Sequence, residues 1–251
     1  MIKSDPVSVT RHIPLYLAFG LLACFSACAN KPVHTAGIET SGTSRVAVSQ
    51  EKYWWYCRFK LHWPENTDFD LVPDLMLAHA VVKPVLDAYR PKLDYWRFHR
   101  RAVHDAAGHQ FSFIFYTDPG TAAAVMFDLK KSAILQQALS ENIVEKISFD
   151  DTNNPDKPDL EDTSDQRWPP EIQKNWPAYI MGVSSTWLGL ISDMMTDTPA
   201  VDNIHELVEQ YRKVDSDIAS MWSRNGQHAF IHHLSAVFGY EPITIKQEVR
   251  F

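Results

Sequence analysis

LDYWRFHRRAVHDAAGHQFSFIFYT, residues 93–117, is the stretch on which the fold turns. Leu93 to His104 and His109 to Thr117 read as two strands rich in aromatic and β-branched side chains, joined around Asp105-Ala-Ala-Gly108, a hairpin signal. Upstream, Tyr53 to Trp63 alternates aromatic and polar residues until Pro64 stops it, which predicts another strand. Between them Asp68 to Arg90 carries Leu75, His79, Val82, Leu86 and Tyr89 at helical spacing; Pro73 suits the first turn, and Pro84 should kink or interrupt the helix. Downstream, Asp118-Pro119 caps a helix expected to run to about Leu139, with Ala122, Val125, Met126, Leu129 and Ala133 on one side. Ile143 to Phe149 completes the series as a strand. The order predicts an α+β fold over residues 51–149, a ferredoxin-like βαββαβ sandwich with two helices on one face of an antiparallel sheet.

Residues 150–167 form an acidic linker in this reading. Asp150 to Asp165 has seven acidic residues and one lysine, and should be solvated and mobile. A calcium loop would need a central glycine and a terminal glutamate at fixed spacing, which the segment lacks. Residues 168–251 follow as a helical C-terminal subdomain. Trp176, Tyr179, Ile180, Val183, Trp187, Leu190, Ile191 and Met194 make one apolar stripe, with Gly182, Ser185 and Gly189 offering a side for close approach. Asn203 and Glu206 open a second helix bearing Ile204, Leu207, Val208, Tyr211, Val214, Ile218 and Trp222. A shorter helix from Gln227 ends at Gly239, and Ile243 to Phe251 alternates like an edge strand. These helices must bury their stripes on the uncovered sheet face or on a partner.

The N-terminus combines Lys3 and Arg11, an apolar run from Ile13 to about Phe25, and small residues before cysteine. This is the order of a secretory signal, and the apolar run falls short of the ~20 residues that span a bilayer. It resembles the lipobox of bacterial lipoproteins, in which the cysteine is acylated and becomes the new N-terminus. Two cysteines fit: Phe25-Ser26-Ala27-Cys28 meets a polar tether at once, and Leu21-Leu22-Ala23-Cys24 has the more usual leucine. Cys28 is preferred and Cys24 is the alternative, so residues 1–27 are expected to be the signal peptide and 28–50, rich in Ser, Thr, Gly and Ala, a flexible tether. The resemblance implies a lipid anchor carrying palmitate-type chains. Neither following residue, Ala29 nor Phe25, is the aspartate that marks inner-membrane retention, so the implied address is the outer membrane, facing the periplasm or the cell surface.

Charge and cysteine content narrow the partners. Removal of Lys3, Arg11 and Asp5 with the signal peptide moves the formal net charge from −7 to −8, which argues against a general nucleic-acid binder. With Cys28 acylated and Cys24 removed, Cys57 stands alone, so no intramolecular disulfide forms. Cys57 alternates with Tyr53, Trp55, Phe59 and Leu61, the pattern of a buried and inert thiol.

Three groups of residues could carry chemistry. Arg58, Lys60 and His62 lie on one side of the first strand, Arg97, His99 and Arg101 on one side of the second, and Lys146 and Ser148 on the fourth. If those sides coincide, the sheet presents a basic surface suited to carboxylate or phosphate. The competing reading is a solvated face whose charges pair with nearby carboxylates. His228 and His232 share a helix face with His233 beside them, but a metal site needs a third ligand and the spacing supplies none, so neither metal nor cofactor is expected. His104, Asp105 and His109 at the hairpin could form a general-base pair, yet no nucleophile elbow accompanies them.

Trp54-x-Tyr56, Asp70-Leu71-Val72, Pro84, Trp96-Arg97-Phe98-His99-Arg100 and Gly108-His109-Gln110-Phe111 resemble, in order and rough spacing, the thiopeptide-type bacteriocin biosynthesis domain, related to the elimination domain of lantibiotic dehydratases. The resemblance covers residues 53–116 and implies Arg100 and His109 as polar site residues. It departs where arginines are expected after His109 and Gln110, Phe111, Ser112 and Phe113 stand instead. Two functions follow. One is a non-catalytic envelope protein binding a partner protein or a small anionic ligand through Arg58, Lys60, Arg97, His99, Arg100, Arg101 and His109. The other is a small enzyme acting on a peptide or anionic substrate through Arg97, His99, Arg100 and His109.

Overall fold

Alternation in Tyr53–Leu61 (β1) sends Trp55, Cys57, Phe59 and Leu61 to one side, where each is almost wholly buried. In the computed structural model, which describes residues 51–63, 70–101, 108–154, 156–158 and 165–242, β1 is joined by Tyr95–Arg100 (β2), Gln110–Thr117 (β3) and Val144–Phe149 (β4). The sheet order is β2-β3-β1-β4, and every neighbouring pair is antiparallel. The result is a mixed α+β architecture: a four-stranded antiparallel sheet with helices between its strands and further helices at the C-terminal end. Phe98, Phe111, Phe113 and Phe115 join the β1 residues on the covered face. Burial of each such side chain contributes about 1.5–3 kcal/mol.

The helical segment between β1 and β2 is continuous through Pro84. Val72–Met76 (α1) passes into a wider π-helical turn, Leu77–Val82, and then into Lys83–Tyr89 (α2) and a 3-10 turn, Arg90–Lys92. Pro84 has no N–H to donate and its ring would press on the preceding turn. The widened turn, in which the Lys83 N–H reaches the Ala78 carbonyl five residues back, absorbs that conflict without breaking the helix. The segment also starts later than expected, at Val72, whose N–H is taken by Asp70 Oδ1 at 2.9 Å.

The helix expected from Asp118 to Leu139 is two helices. Pro119–Lys130 (α3) begins with the Asp118 carboxylate accepting from the Thr121 N–H, and Ala133–Ser140 (α4) begins with Ser132 Oγ accepting from Leu135 N. Ser132 is the break, because a serine oxygen competes for helix-start N–H groups better than it continues a helix. The acidic linker is also less free than its composition suggests. Asp150 N donates to Tyr56 O at 3.1 Å, Trp54 N donates to Pro158 O at 3.2 Å, and Lys157 forms an ion pair with Asp150 in which both side chains are nearly buried.

The C-terminal helices do not form a core of their own. Leu188 and Ile191 of Pro170–Met195 (α5), with Ile204, Tyr211 and Val214 of Ile204–Gly226 (α6), belong to the same apolar cluster as the sheet. Among the described residues they pack elsewhere than on the second sheet face, called the open face below: α5 packs beside the edge strand β2, and α6 lies against α1 and α4. The buried side of α5 is Pro177, Ser184, Leu188 and Ile191, whereas Tyr179 and Val183 of the expected stripe are about half exposed and open space surrounds Gly182 and Gly189. The displacement has a polar cause. β2 is an edge strand with outward N–H groups, and Ser184 Oγ accepts from Phe98 N at 3.1 Å, so the helix turns this serine inward. Gln227–His232 continues α6 as a π-helical turn into His233–Val237 (α7), making one unbroken helical rod. The signal peptide, tether, His104, Asp105 and the expected strand at 243–251 lie outside the described residues.

Replacing Ser184 with alanine leaves the buried Phe98 N–H without its acceptor. Urea denaturation of Ser184→Ala should show a loss of about 1–3 kcal/mol, against a few tenths for Ser185→Ala on the exposed side.

Candidate functional site

The face of the sheet turned away from the helices carries its polar residues in rows set by the register. His99 stands opposite Ser112, Ser112 opposite Arg58, and Arg58 opposite Ser148, so four strands contribute to one line. In the row to one side, Arg97 and Tyr56 flank Ile114. In the row to the other, Arg101 bonds through its N–H to Gln110 O, and Lys60 stands opposite both Gln110 and Lys146. Directly opposed residues are about 4.5–5.5 Å apart and successive same-face rows about 7 Å apart, a spacing at which several cations reach one multidentate anion. Trp54, Tyr95 and Tyr116 close one end of the face as an aromatic cluster with ring centroids 5.2–6.4 Å apart.

The cations on this face are not equivalent. Arg58, Arg97 and Arg101 are partly sheltered, while Lys60, His99 and Lys146 are exposed. Burial draws the Arg97 guanidinium below its ordinary value, the cost of holding a charge away from bulk water. Arg58 lies with its guanidinium carbon 3.6 Å from the centre of the Tyr56 ring, which fixes its direction without neutralising it. Lys60 pairs with Glu145 at 2.7 Å and His62 approaches the other oxygen at 3.3 Å; the hydrogen bond from Lys60 holds the Glu145 carboxyl below the usual range. Lys60 is therefore engaged by a carboxylate of the sheet itself. Ser112, cross-strand from both Arg58 and His99, is only 2% exposed.

Arg100 and His109 point the other way. Arg100 Nε donates to Asp74 Oδ2 at 2.6 Å and Nη2 to Leu71 O at 3.1 Å, and the guanidinium sits 5.1 Å from the Trp187 ring centre. His109 Nε2 lies 3.0 Å from the second oxygen of Asp74. Asp74 and His109 are buried, and the cluster ties α1 to the adjoining ends of β2 and β3. Asp215 of α6 stands nearby: burial raises its carboxyl, opposed by Arg100 and assisted by Asp70 and Asp74. The seven residues expected to bind a ligand thus divide. Arg58, Lys60, Arg97, His99 and Arg101 share the open face, and Arg100 and His109 stand on the core side beside Asp74. The four residues proposed to catalyse together are separated by the sheet.

Asp74 was not legible as a partner. Its signal was an acidic residue inside the buried run Leu71-Val-Pro-Asp-Leu-Met76, a place where a carboxylate needs a cation. Cys57 is fully buried and burial pushes its thiol up, which disfavours the reactive thiolate. His228 stacks on His232 with centroids 5.3 Å apart; among the described residues no group of three or more His, Cys, Asp or Glu side chains is arranged to hold a metal ion. No family model matches the chain, and comparison with curated proteins and with solved structures finds no match.

A titratable contact joins α6 to the π-helical turn. His79 Nδ1 and the Tyr211 hydroxyl are 2.7 Å apart, and burial lowers the imidazole from its ordinary 6.5. The unfolded chain takes up this proton near pH 6.5 and the folded chain resists it, so the site's contribution to stability is full above about 6.5 and is lost as pH falls toward the lower folded value. The urea midpoint should therefore fall more between about pH 7.5 and about pH 5.5 in the native chain than in His79→Gln.

Proposed function

We propose that this chain is a lipid-anchored protein of the cell envelope, held in the outer membrane through Cys28 or Cys24, that binds an anionic group of a small ligand or partner protein on the open sheet face without catalysing its conversion. The observation that carries the binding reading is the register that brings Arg58, Arg97 and Arg101 to one face, partly sheltered, beside Ser112 and His99. Guanidinium groups so placed suit carboxylate or phosphate, which they grip with paired hydrogen bonds. The aromatic end formed by Trp54, Tyr95 and Tyr116 would pack against an apolar part of the same ligand. A ferredoxin-like topology belongs to this reading too, supported by the element order βαββαβ and by β1 lying between β3 and β4 with all neighbours antiparallel.

Titration with inorganic phosphate and with a short polyglutamate peptide tests the face. One sheltered charge-assisted hydrogen bond is worth about 1.5–3 kcal/mol, so Arg97→Ala should weaken whichever probe binds by roughly tenfold or more. Arg100→Ala should leave affinity unchanged and lower Tm, because it strands buried Asp74. Equal loss of affinity in the two variants, or binding of neither probe, would overturn the proposal.

The anchor is tested separately. Labelling of the expressed chain with a palmitate analogue should disappear in Cys28→Ala and persist in Cys24→Ala. The opposite pattern moves the anchor to Cys24, and no label on the native chain removes it.

A further inference from the structure

His228, His232 and His233 take no part in the sheet, and their spacing alone offers only a pair four apart, with a neighbour that an α-helix would turn away. At 3.6 residues per revolution, residue i+5 lies about 140° round the helix from residue i. The chain is not α-helical at this point. Gln227–His232 is a π-helical turn between α6 and α7, with His233 as its C-cap. Hydrogen bonds that reach one residue further widen the turn to about 4.4 residues, which sets i+4 and i+5 about 30° and 50° to either side of i. His228 therefore stands between His232 and His233, and the third side chain comes from the type of turn.

The three rings make a near-equilateral triangle. Their centres are 5.3 Å apart for His228 and His232, 5.4 Å for His228 and His233, and 5.3 Å for His232 and His233. A zinc ion takes imidazole nitrogen at about 2.0–2.1 Å, which puts each ring centre about 3.2 Å from the metal and tetrahedral neighbours about 5.2 Å apart. The ring centres already have that separation. Their planes do not yet suit it: His228 and His232 lie at 16° to one another and stack, so three nitrogens do not face one point as the rings stand. An imidazole turns about its Cβ–Cγ bond over a broad torsion, and that axis passes through the ring centre, so the turn redirects the nitrogens and leaves the triangle in place. All three residues are exposed, which leaves the rings room to turn.

We propose that His228, His232 and His233 bind one divalent transition-metal ion of the zinc class, each through one neutral imidazole nitrogen, with water in the fourth position. Imidazole suits zinc, nickel and copper, whereas magnesium and calcium take oxygen ligands. Residues 219–240 contain no aspartate, glutamate or cysteine, so the imidazoles are the metal donors of this part of the rod and select for the softer ions. Three protein ligands with an open fourth position is the set that zinc adopts where it keeps a water. The site shares no residue with the open sheet face, and its test does not depend on ligand binding there.

Zinc is titrated calorimetrically into the full chain carrying Cys24→Ser and Cys28→Ser and no histidine tag, so that no thiol outside the core competes; Cys57 is fully buried. The expected result is saturable binding of one zinc per chain, with no heat from magnesium. Cobalt(II) should occupy the same place and give the intense visible absorption of four-coordinate geometry. His228→Ala, His232→Ala and His233→Ala should each weaken zinc by about tenfold or more, a loss that removal even of a residue behind a metal's direct ligands produces. Because the three side chains are exposed, Tm of the metal-free variants should match that of the parent chain. Native affinity in His233→Ala, with loss in the other two, would leave an ordinary pair four apart and overturn the proposal. So would one zinc per two chains, which would place the ion between copies, or binding that survives all three substitutions, or none that saturates.

Discussion

A one-residue slip of β1 against β3 would turn Trp55, Cys57, Phe59 and Leu61 to solvent and drive Arg58 and Lys60 into the apolar core. The cost of such a slip fixes the register, and the register fixes much else. It gives the helices one aromatic surface to cover. It also leaves the opposite surface with its cations on three strands, β1, β2 and β4, around the polar residues of β3, since whatever cannot enter the core must share the remaining face. The basic surface is a by-product of core formation in its position, but not in its composition, because a solvated face could equally carry serines and threonines.

The two populations of cations show how burial divides similar residues. Arg97 and Arg100 are three apart on one strand and therefore on opposite faces. Arg100 meets buried Asp74 and becomes part of the scaffold, as removing either partner would strand a charge. Arg97 stays on the open face, partly desolvated, where a guanidinium is held at some cost.

The C-terminal helices solve a different problem, the exposed edge of β2. Ser184 satisfies one of its N–H groups, and Trp187 packs on Phe98 with centroids 5.6 Å apart. Placing α5 at the edge leaves α6 to lie over α1 and α4, where Tyr211 reaches His79. The sheet and these helices offer only enough surface for the proximal part of the rod. Its distal part leaves the body with its apolar stripe intact, because periodicity continues in the sequence after the surface that could bury it has ended.

Strand positions, the aromatic face of β1 and the grouping of Arg58 with Lys60 on one side of β1 and of Arg97, His99 and Arg101 on one side of the second strand followed from the sequence, because alternation in a strand has a fixed period of two and needs no partner to define it; that the two sides coincide was decided by the pairing of both strands with β3. The caps at Asp118 and Asn203 were legible for the same reason: each acts on N–H groups two or three residues away. Pro84 was visible as a conflict but not as a widened turn, and Ser132 did not announce itself as a break. Tertiary structure alone decided that Asp74 meets Arg100 and His109, that Ser184 rather than Tyr179 faces inward, and that the C-terminal helices line the edge instead of covering the open face. Each of those depends on which polar group at a distant point in the chain lacks a partner, and a linear pattern records the period of a segment without recording what its buried donors and acceptors will meet.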